Sequence, residues 1–406
     1  MKSRMCLRLA TSVGVMIMLS NILLASQDAP SPAMQEVVAG NTAFATDLYA
    51  RLKSRDGNLF FSPYSVSTAL AMTYAGARGD TAQQMAKALH FTMPQERLHP
   101  AFADLQTELN AVQKSGKIQI SVANSLWPQA GHPFLPEYVA LLKQNYDTSV
   151  TPIDYASAPE TARKTINDWV EQKTNRKITD LIQPGVLNSM TRLVLANAIY
   201  FKGDWAKQFD PKLTSKGPFR VSASKDVECW MMYRKGTYAY VETPNLQILE
   251  LPYSGSNLCM IVLLPREPIA FGNLEHDLTA AKLAEWLKAL HEREIDICLP
   301  KFKLTCETRL DRALASMRMA DAFTDRADFS GMDGQKNWLY IAAVLHKAFV
   351  DVNEEGTEAA AAAATFVVMG AERGPDFCAD HPFVFLIRDN RTGSILFMGR
   401  VVNPAE

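Results

Sequence analysis

The pattern of hydrophobic and polar positions predicts helices and strands that are intermixed along the chain. Apolar residues recur at helical spacing over residues 37–52 and 161–175. Residues 66–74 are apolar almost all round and follow an N-cap serine, Ser62, so they predict a central buried helix. Residues 118–127 alternate as a strand does. Because strands and helices do not alternate regularly, we predict an α+β fold.

Longer apolar runs predict strands at the centre of a sheet. Residues 191–205 are almost continuously apolar, as in a strand that is covered on both faces, and they include one polar residue, Asn197, that needs buried partners. Near the C-terminus, residues 381–389 and 394–402 flank a polar turn and predict a buried β-hairpin. A hairpin is not stable alone, so its strands must join a sheet built earlier in the chain.

The segment that precedes this hairpin has conflicting local signals. Six consecutive alanines at 359–364 favour a helix, but Gly356 stands before them and Gly370 after them. The alanine run has no apolar stripe to bury, and its small side chains would fit between two strands without overpacking. Composition alone leaves a flexible linker equally open. Only one hairpin follows, however, so the segment is predicted to be a loop tied at both ends to one folded body.

Composition and charge exclude several classes of function. With 406 residues, 48% hydrophobic residues and a mean hydropathy of −0.08, the chain has ample material for a core. Its 42 basic and 43 acidic residues give a net charge of −1, which indicates neither a nucleic-acid partner nor an anionic membrane. There is no GxSxG, HExxH, P-loop or GxGxxG motif and no paired Cys/His spacing. We therefore predict no enzyme, no cofactor and no metal site.

The N-terminus resembles a secretory signal peptide. Three basic residues lie within the first eight, and an apolar stretch at 9–25 with polar interruptions follows. This stretch is marginal for spanning a membrane, so a signal peptide is favoured over an anchor. We predict a signal peptide over 1–26 and a single domain over 27–406. The protein would be secreted to the extracellular space, or to the periplasm if its source is bacterial.

The cysteines indicate no zinc site and no dense disulfide scaffold. After Cys6 in the leader the chain has an odd number of them without CxxC spacing: Cys229, Cys259, Cys298, Cys306 and Cys378. We expect most of them to be buried as small hydrophobic residues. Cys378 lies just after the alanine-rich segment and is predicted to be an accessible thiol.

Specific stretches resemble the serpin family. The sequence Glu355-Gly356-Thr357-Glu358-Ala359-Ala360 resembles the hinge of an inhibitory serpin's reactive-centre loop, and the C-terminal hairpin resembles the family's signature. Residues 197–205 are also similar to one of its most recognisable runs. The resemblance covers nearly the whole chain after the leader. It implies the serpin fold, with three β-sheets, about eight to nine helices and an exposed reactive-centre loop at about 354–376.

The resemblance also assigns residues to sites. It implies a polar cluster beneath the central sheet that controls its opening, formed by Ser62, Ser65, Asn197 and His346, with Trp205 near the top where the loop enters. From the residues alone, the four polar residues are equally well explained as hydrogen-bonded core groups, and Trp205 as a core aromatic. These structural roles are compatible with the roles that the resemblance implies. The implied hinge consists of Glu355, Gly356, Thr357, Glu358, Ala359, Ala360, Ala361 and Ala362.

The implied mechanism is that of a suicide substrate. A serine protease attacks the loop and forms an acyl-enzyme, and the cleaved loop then inserts as a new central strand that carries the protease away and spoils its active site. Alternation would turn Thr357 and every second residue up to Val367 towards the core. The small hinge favours this over a non-inhibitory carrier or chaperone, whose hinge tends to hold charged, bulky or proline residues. A non-inhibitory carrier or chaperone remains the alternative function.

The target is less sharply indicated. The family's usual loop length, counted from Glu354, places the cleaved bond between Gly370 and Ala371, with the bond between Met369 and Gly370 as an alternative. A small residue or methionine before the bond suits an elastase-, subtilisin- or chymotrypsin-like protease. Arg373 would suit a trypsin-like protease but lies three residues late. The implied partner is a serine protease in covalent complex with a monomer, with no nucleic acid and no membrane after signal cleavage.

Overall fold

The computed structural model shows an α+β protein, as predicted. It describes residues 30–113, 116–131, 133–148, 150–255, 257–357 and 376–406. The predicted signal peptide over 1–26 lies outside the described residues and stays a prediction. In the described part of the chain, no helix has both the length and the apolar character needed to cross a membrane.

Helices precede and surround the sheets. Those in the described residues are α1 (Pro32–Leu52), α2 (Pro63–Gly76), α3 (Gly79–Ala88), α4 (Gln95–Val112), α5 (Pro136–Tyr146), α6 (Pro159–Lys173), α7 (Phe271–Asp277), α8 (Ala280–Lys288), α9 (Asp311–Ser316) and α10 (Ser330–Asp333). Every residue of α2 is buried, so the prediction of a central buried helix is confirmed. The Oγ of Ser62 accepts a hydrogen bond from the backbone N–H of Ser65 and caps this helix.

The strands of the described residues form one larger and one smaller sheet. They are β1 (Leu59–Phe61), β2 (Ile118–Pro128), β3 (Leu193–Asp204), β4 (Ser215–Ser222), β5 (Lys225–Glu242), β6 (Leu246–Pro252), β7 (Leu258–Pro265), β8 (His291–Pro300), β9 (Phe302–Arg309), β10 (Ala343–Val352), β11 (Gly356–Thr357), β12 (Phe377–Cys378), β13 (Phe383–Asp389) and β14 (Ile395–Val401).

In the part of the chain that the structure describes, the smaller sheet has five strands in the order β2-β3-β11-β10-β9. Its central strand β3 is covered on both faces, as its continuous apolar sequence predicts. Leu195, Ile199 and Phe201 pack into the main hydrophobic core. Ala196 and Tyr200 pack on the opposite face, in a second core that includes residues of α6. This alternation follows from the two-residue period of a strand.

The larger sheet has nine strands, eight of them in the order β1-β14-β13-β7-β6-β5-β8-β12, with β4 paired to β5. The C-terminal hairpin of β13 and β14 pairs with β7 on one side and β1 on the other, so the expectation that it joins an earlier sheet is confirmed.

The numbers of sheets and helices differ from those that the serpin resemblance implies. The described residues form two hydrogen-bonded sheets and ten α-helices, against the predicted three sheets and eight to nine helices. The physical reason for the sheet count is β5. This strand has 18 residues and pairs in succession with β4, β8 and β6, so it joins all of these strands into one sheet. Among the helices, α9 and α10 span only six and four residues.

Candidate functional site

The smaller sheet is opened at one end by the start of the alanine-rich segment. Strands β3 and β10 run parallel and pair directly from Val194 and Ala343 to Tyr200 and Phe349. Beyond that point β11 lies between them and runs antiparallel to both, with Thr357 opposite Gly203 of β3 and Val352 of β10. The first residues of the predicted hinge therefore already form a short central strand.

Gly356 is required by the close approach of β11 to β3. A Cβ atom at this position would lie 2.1 Å from the carbonyl oxygen of Gly203 and 2.6 Å from the Cα of Asp204. Both contacts are with backbone, which cannot move aside as a side chain can. A side chain at residue 356 would therefore push the hinge out of the sheet.

Thr357 is fully buried and takes part in a hydrogen bond that the sequence does not reveal. Its side-chain hydroxyl lies 2.8 Å from the hydroxyl of Tyr253, and the residue has 0% of its surface exposed. Tyr253 in turn stacks on Trp205, with ring centroids 4.7 Å apart and an interplanar angle of 12°. The core side of β11 thus rests on an aromatic platform that leaves room for a small side chain.

Trp205 also holds the chain that leads into β11. Its indole N–H donates to the carbonyl oxygen of Asn353 at 2.9 Å, and its backbone N–H donates to the carbonyl oxygen of Glu355 at 2.8 Å. The side-chain amide oxygen of Asn353 accepts the backbone N–H of Glu355. Trp205 therefore lies beside the chain that leads into β11.

An ion pair lies beside the same entry. The Nζ of Lys301 is 2.8 Å and 3.1 Å from the two carboxylate oxygens of Glu354, a side chain with only 4% of its surface exposed. Burial acts to raise the pKa of Glu354, but the hydrogen bond from Lys301 and further hydrogen bonds outweigh it, so the pKa is lowered. The carboxylate is thus ionised at neutral pH and ties the entry of the hinge to the start of β9.

The predicted polar cluster is a row of hydrogen-bonded side chains across β2, β3 and β10. Asn197 of β3 lies opposite Asn124 of β2 and His346 of β10. Its amide nitrogen donates to Asn124 and, at 2.7 Å, to the hydroxyl of Ser65. The hydroxyl of Ser62 donates to the carbonyl oxygen of Leu396 at 2.6 Å. The row therefore links the centre of the small sheet to the beginning of α2.

The hydrogen bonds define the tautomer of His346. The backbone N–H of Ser62 donates to Nε2 at 3.0 Å, so Nε2 carries no proton and Nδ1–H donates to the side-chain oxygen of Asn197. The ring is 0% exposed, and burial lowers its pKa to about 3. His346 is therefore neutral in the folded protein, and its protonation would break the bond from Ser62.

This geometry predicts a loss of stability in acid. The unfolded chain takes up a proton at His346 below its usual pKa of 6.5, while the folded protein does not until about pH 3. The contribution of His346 to the free energy of unfolding is therefore fully present above pH 6.5 and decreases as the pH falls towards 3. The decrease is at most roughly 1.4 kcal/mol per pH unit. We expect His346→Gln to be less stable than the wild type at pH 7 but to lose less stability per pH unit as the pH falls. Denaturant unfolding from pH 4 to 8 measures both.

The matched control is the exposed His276→Gln, which should leave the wild-type slope unchanged. An identical slope for His346→Gln and the wild type would contradict the assignment of this acid sensitivity to His346.

The structure places the sequence-predicted residues as follows. Ser62, Ser65, Asn197 and His346 come together in the polar row, and Glu355, Gly356 and Thr357 lie with Trp205 at the opening of the sheet. The remaining predicted site residues lie outside the described residues: Glu358, Ala359, Ala360, Ala361, Ala362, Met369, Gly370, Ala371 and Arg373. The controlling role of the polar cluster stays a prediction.

Sequence reasoning missed three side chains at these sites. Asn124 joins the polar row, Tyr253 contacts Thr357, and Lys301 pairs with Glu354. Asn124 had a usable signal, because it interrupts a predicted strand with a polar side chain, as Asn197 does. Tyr253 and Lys301 had none, since each reaches the hinge only through tertiary packing.

Comparison with known proteins decides the family. The model of the Serpin (serine protease inhibitor) family matches residues 39–404. The chain is a serpin. It is 42% identical over 384 residues to the leukocyte elastase inhibitor of Bos taurus, with 91% of this chain and 100% of the relative covered. The resemblance noted from the hinge and the C-terminal hairpin is confirmed.

Solved structures agree with this assignment. This serpin matches uncleaved ovalbumin with a TM-score of 0.83 and 33% identity, over 91% of this chain and 100% of ovalbumin. It matches a highly specific serpin of the insect Tenebrio molitor with a TM-score of 0.80 and 31% identity, over 91% of this chain and 98% of that one.

By its family and relatives the protein is a protease inhibitor and not an enzyme. In the described part of the chain, no group of three or more His, Cys, Asp or Glu side chains is placed to hold a metal ion.

Proposed function

We propose that this serpin inhibits a serine protease by loop cleavage, acyl-enzyme formation and insertion of the cleaved loop into the five-stranded sheet. The observation that carries the proposal is β11. Residues 356 and 357 already pair with both β3 and β10, antiparallel to each, so residues that follow have a direct path for extending this strand. Extension would replace the β3–β10 pairing that runs from Ala343 to Phe349.

The composition of the segment supports insertion. The register turns Thr357 inward, onto Tyr253, and the two-residue period then assigns Ala359, Ala361 and Ala363 to the same face. Alanine adds little bulk against β3, whose residues from Leu193 to Phe201 are all buried. A non-inhibitory carrier or chaperone has no need of an unbroken series of small residues here, so inhibition is favoured over that alternative.

The chemical step is acyl transfer. The serine hydroxyl of the protease attacks the carbonyl carbon of the residue before the cleaved bond and forms an ester with it, and the amine of the following residue leaves with the proton. Insertion carries the ester-linked protease away from the entry of the loop, so its catalytic groups lose the alignment needed to hydrolyse the ester. The complex is thereby covalent and long-lived, and the inhibitor acts as a monomer.

We propose that the cleaved bond joins Gly370 and Ala371 and that the target is elastase- or subtilisin-like, with a chymotrypsin-like protease as the next candidate. The loop length supports this bond, and small residues before it suit a shallow specificity pocket. The name of the bovine relative, leukocyte elastase inhibitor, supports an elastase-like target. Arg373 keeps a trypsin-like target as the alternative.

We also propose that the protein is secreted. The basic residues and the apolar stretch at 9–25 support a signal peptide, and the family match begins only at residue 39. N-terminal sequencing of the protein recovered from the medium of an expressing culture tests this, with a start at or near residue 27 as the expected result.

The experiment that tests the inhibitory mechanism is mass spectrometry after mixing with elastase, chymotrypsin and trypsin in turn. We expect a complex that survives denaturation with elastase, and a released fragment that begins at Ala371. A fragment that begins at Gly370 would instead assign the bond after Met369, and one that begins at Gly374 would assign it after Arg373. Cleavage without any covalent complex in all three mixtures would favour the carrier or chaperone alternative.

A further inference from the structure

Two cysteines lie directly opposite each other at the edge of the larger sheet. Strand β12 pairs in parallel with β8, and the register places Cys378 opposite Cys298. On the other side of β8, Tyr233 of β5 lies opposite Cys298, so the three side chains form one row across three strands. Residues opposite each other in a parallel pair point to the same face, so both thiols lie on one side of the sheet.

The distance between the two strands suits a disulfide. Neighbouring strands lie about 4.8 Å apart, within the roughly 4.4–6.8 Å that separates the Cα atoms of disulfide-bonded cysteines. The Cys298 thiol, through hydrogen bonding, and then burial raise the pKa of the Cys378 thiol. Cys298 is 0% exposed, whereas Cys378 is partly exposed and accessible to a reagent from solution.

The other cysteines are placed differently. Cys259 contacts the side chain of Asn390, and Cys306 of β9 lies opposite Ala348 of β10. Cys229 of β5 is the competing partner, because its thiol lies near that of Cys298, and burial followed by this neighbour raises its pKa to about 11. A bond between Cys229 and Cys298 would join strands that already pair along ten positions and would not involve β12.

Strand β12 is the attachment point of the far end of the reactive-centre loop. Among the described residues it spans two positions and is the last strand of its sheet, and only residue 376 separates it from the segment 358–375. The backbone N–H of Ala379 donates to the carbonyl oxygen of Cys298 at 2.9 Å. Such a short edge strand is held by few hydrogen bonds, so one covalent bond would change its attachment greatly.

We propose that Cys298 and Cys378 form a disulfide in an oxidising environment, which fixes β12 to β8 and prevents the uncleaved loop from inserting into the five-stranded sheet. The oxidant is a small-molecule disulfide such as oxidised glutathione. Cys378 attacks it and releases one reduced glutathione, and Cys298 then attacks the mixed disulfide and releases the second. The protein loses two electrons and two protons, which the glutathione disulfide takes up.

The length of the loop explains why uncleaved insertion requires β12 to detach. In the register of β11, continuing the strand from Thr357 opposite Gly203 would bring residue 367 opposite Leu193, at the other end of β3. That run covers about 33 Å. The remaining residues, 368–377, reach about 35 Å when fully extended, which leaves almost nothing for the path back to β8. Cys298 lies three residues before Lys301, which binds Glu354, so β12 sits towards the end of the sheet where the loop enters.

Cleavage removes this restriction, because every proposed bond lies before Cys378. The half of the loop that inserts is then separated from β12, so the disulfide should leave inhibition intact. This inference rests on the proposed loop insertion for its consequence, but not for the disulfide itself.

The first measurement asks whether the bond forms. The reduced protein is incubated with oxidised glutathione, blocked with an alkylating reagent, digested without reduction and analysed by mass spectrometry. We expect a linked peptide that contains Cys298 and Cys378, which disappears on treatment with dithiothreitol and is absent from Cys378→Ser. Cys306→Ser is the matched control and should still give the linked peptide. Absence of this peptide, or a Cys229–Cys298 link in its place, would overturn the proposal.

The second measurement asks what the bond does. Reduced and oxidised samples are warmed below their melting temperature, and the fraction whose intact loop has become resistant to subtilisin is followed over time. We expect resistance to appear several-fold more slowly in the oxidised wild type, and oxidant to have no effect on Cys378→Ser. Equal rates in the reduced and oxidised wild type would overturn the tethering role. If the linked peptide forms but no protease is ever trapped in a covalent complex, the proposed inhibitory function fails while the disulfide stands.

Discussion

Thr357→Arg is expected to convert the protein from an inhibitor into a substrate. In the structure Thr357 is fully buried, with its hydroxyl 2.8 Å from that of Tyr253, so an arginine here would bury a guanidinium group. Burying an unpaired charge costs several kcal/mol, so insertion should become slower than hydrolysis of the acyl-enzyme. We expect the yield of covalent complex with elastase to fall by more than about tenfold, since each 1.4 kcal/mol corresponds to a factor of ten.

The control for this variant is its neighbour. The side chain of Glu355 is exposed, so Glu355→Arg introduces the same group in the same segment without burying it, and the complex should form at nearly the wild-type yield. Thr357→Ser keeps the hydroxyl and should also inhibit. The yield is measured as the fraction of protease that runs with the inhibitor on a denaturing gel. Recovery of full complex formation by Thr357→Arg would count against insertion of residue 357 as part of the mechanism.

Cleavage within the loop is expected to raise the melting temperature by on the order of 10 °C or more. Insertion of residues 358–368 would add about one net hydrogen bond per residue at about 1 kcal/mol each, before any gain from buried side chains. With an unfolding entropy of about 2.1 cal/mol/K per residue for a chain of this size, a gain of about 10 kcal/mol corresponds to such a shift.

The measurement is thermal unfolding of the intact and the loop-cleaved protein, followed by circular dichroism or calorimetry. Cleaved Thr357→Arg is the matched control and should melt close to its intact form, because its hinge cannot extend β11. If the cleaved wild type melts no higher than the intact protein, the loop does not insert, and a passive carrier becomes the better account.

Much of the fold followed from the hydrophobic pattern because burial of the long elements is nearly complete. The apolar run that became β3 and the apolar helix α2 are covered on all sides, so their sequences carry the signal directly. The counts of sheets and helices differed because β5 is long enough to pair with three other strands, and strand pairing is not written in local sequence.

The candidate site was only partly accessible to sequence reasoning. Its polar requirement was visible at Asn197, whereas the close backbone approach that requires glycine at residue 356 was not. The partner side chains Tyr253 and Lys301 were not, because each lies about 50 or more positions from the hinge residue that it contacts. The same holds for Cys298 and Cys378, which share a register position but are separated by 79 intervening positions.

The sequence by itself indicated the α+β class through its intermixed helix and strand patterns, and the slender hinge through its glycine and alanine residues. The family followed from the resemblance of the hinge and the C-terminal hairpin to serpins. Only the tertiary structure decided that the hinge already occupies the opening between β3 and β10, that His346 is neutral and of one tautomer, and that Cys298 and Cys378 lie opposite each other at the edge of the larger sheet. Each of these depends on distances between strands that are remote in the chain, and such distances are fixed by packing rather than by local sequence.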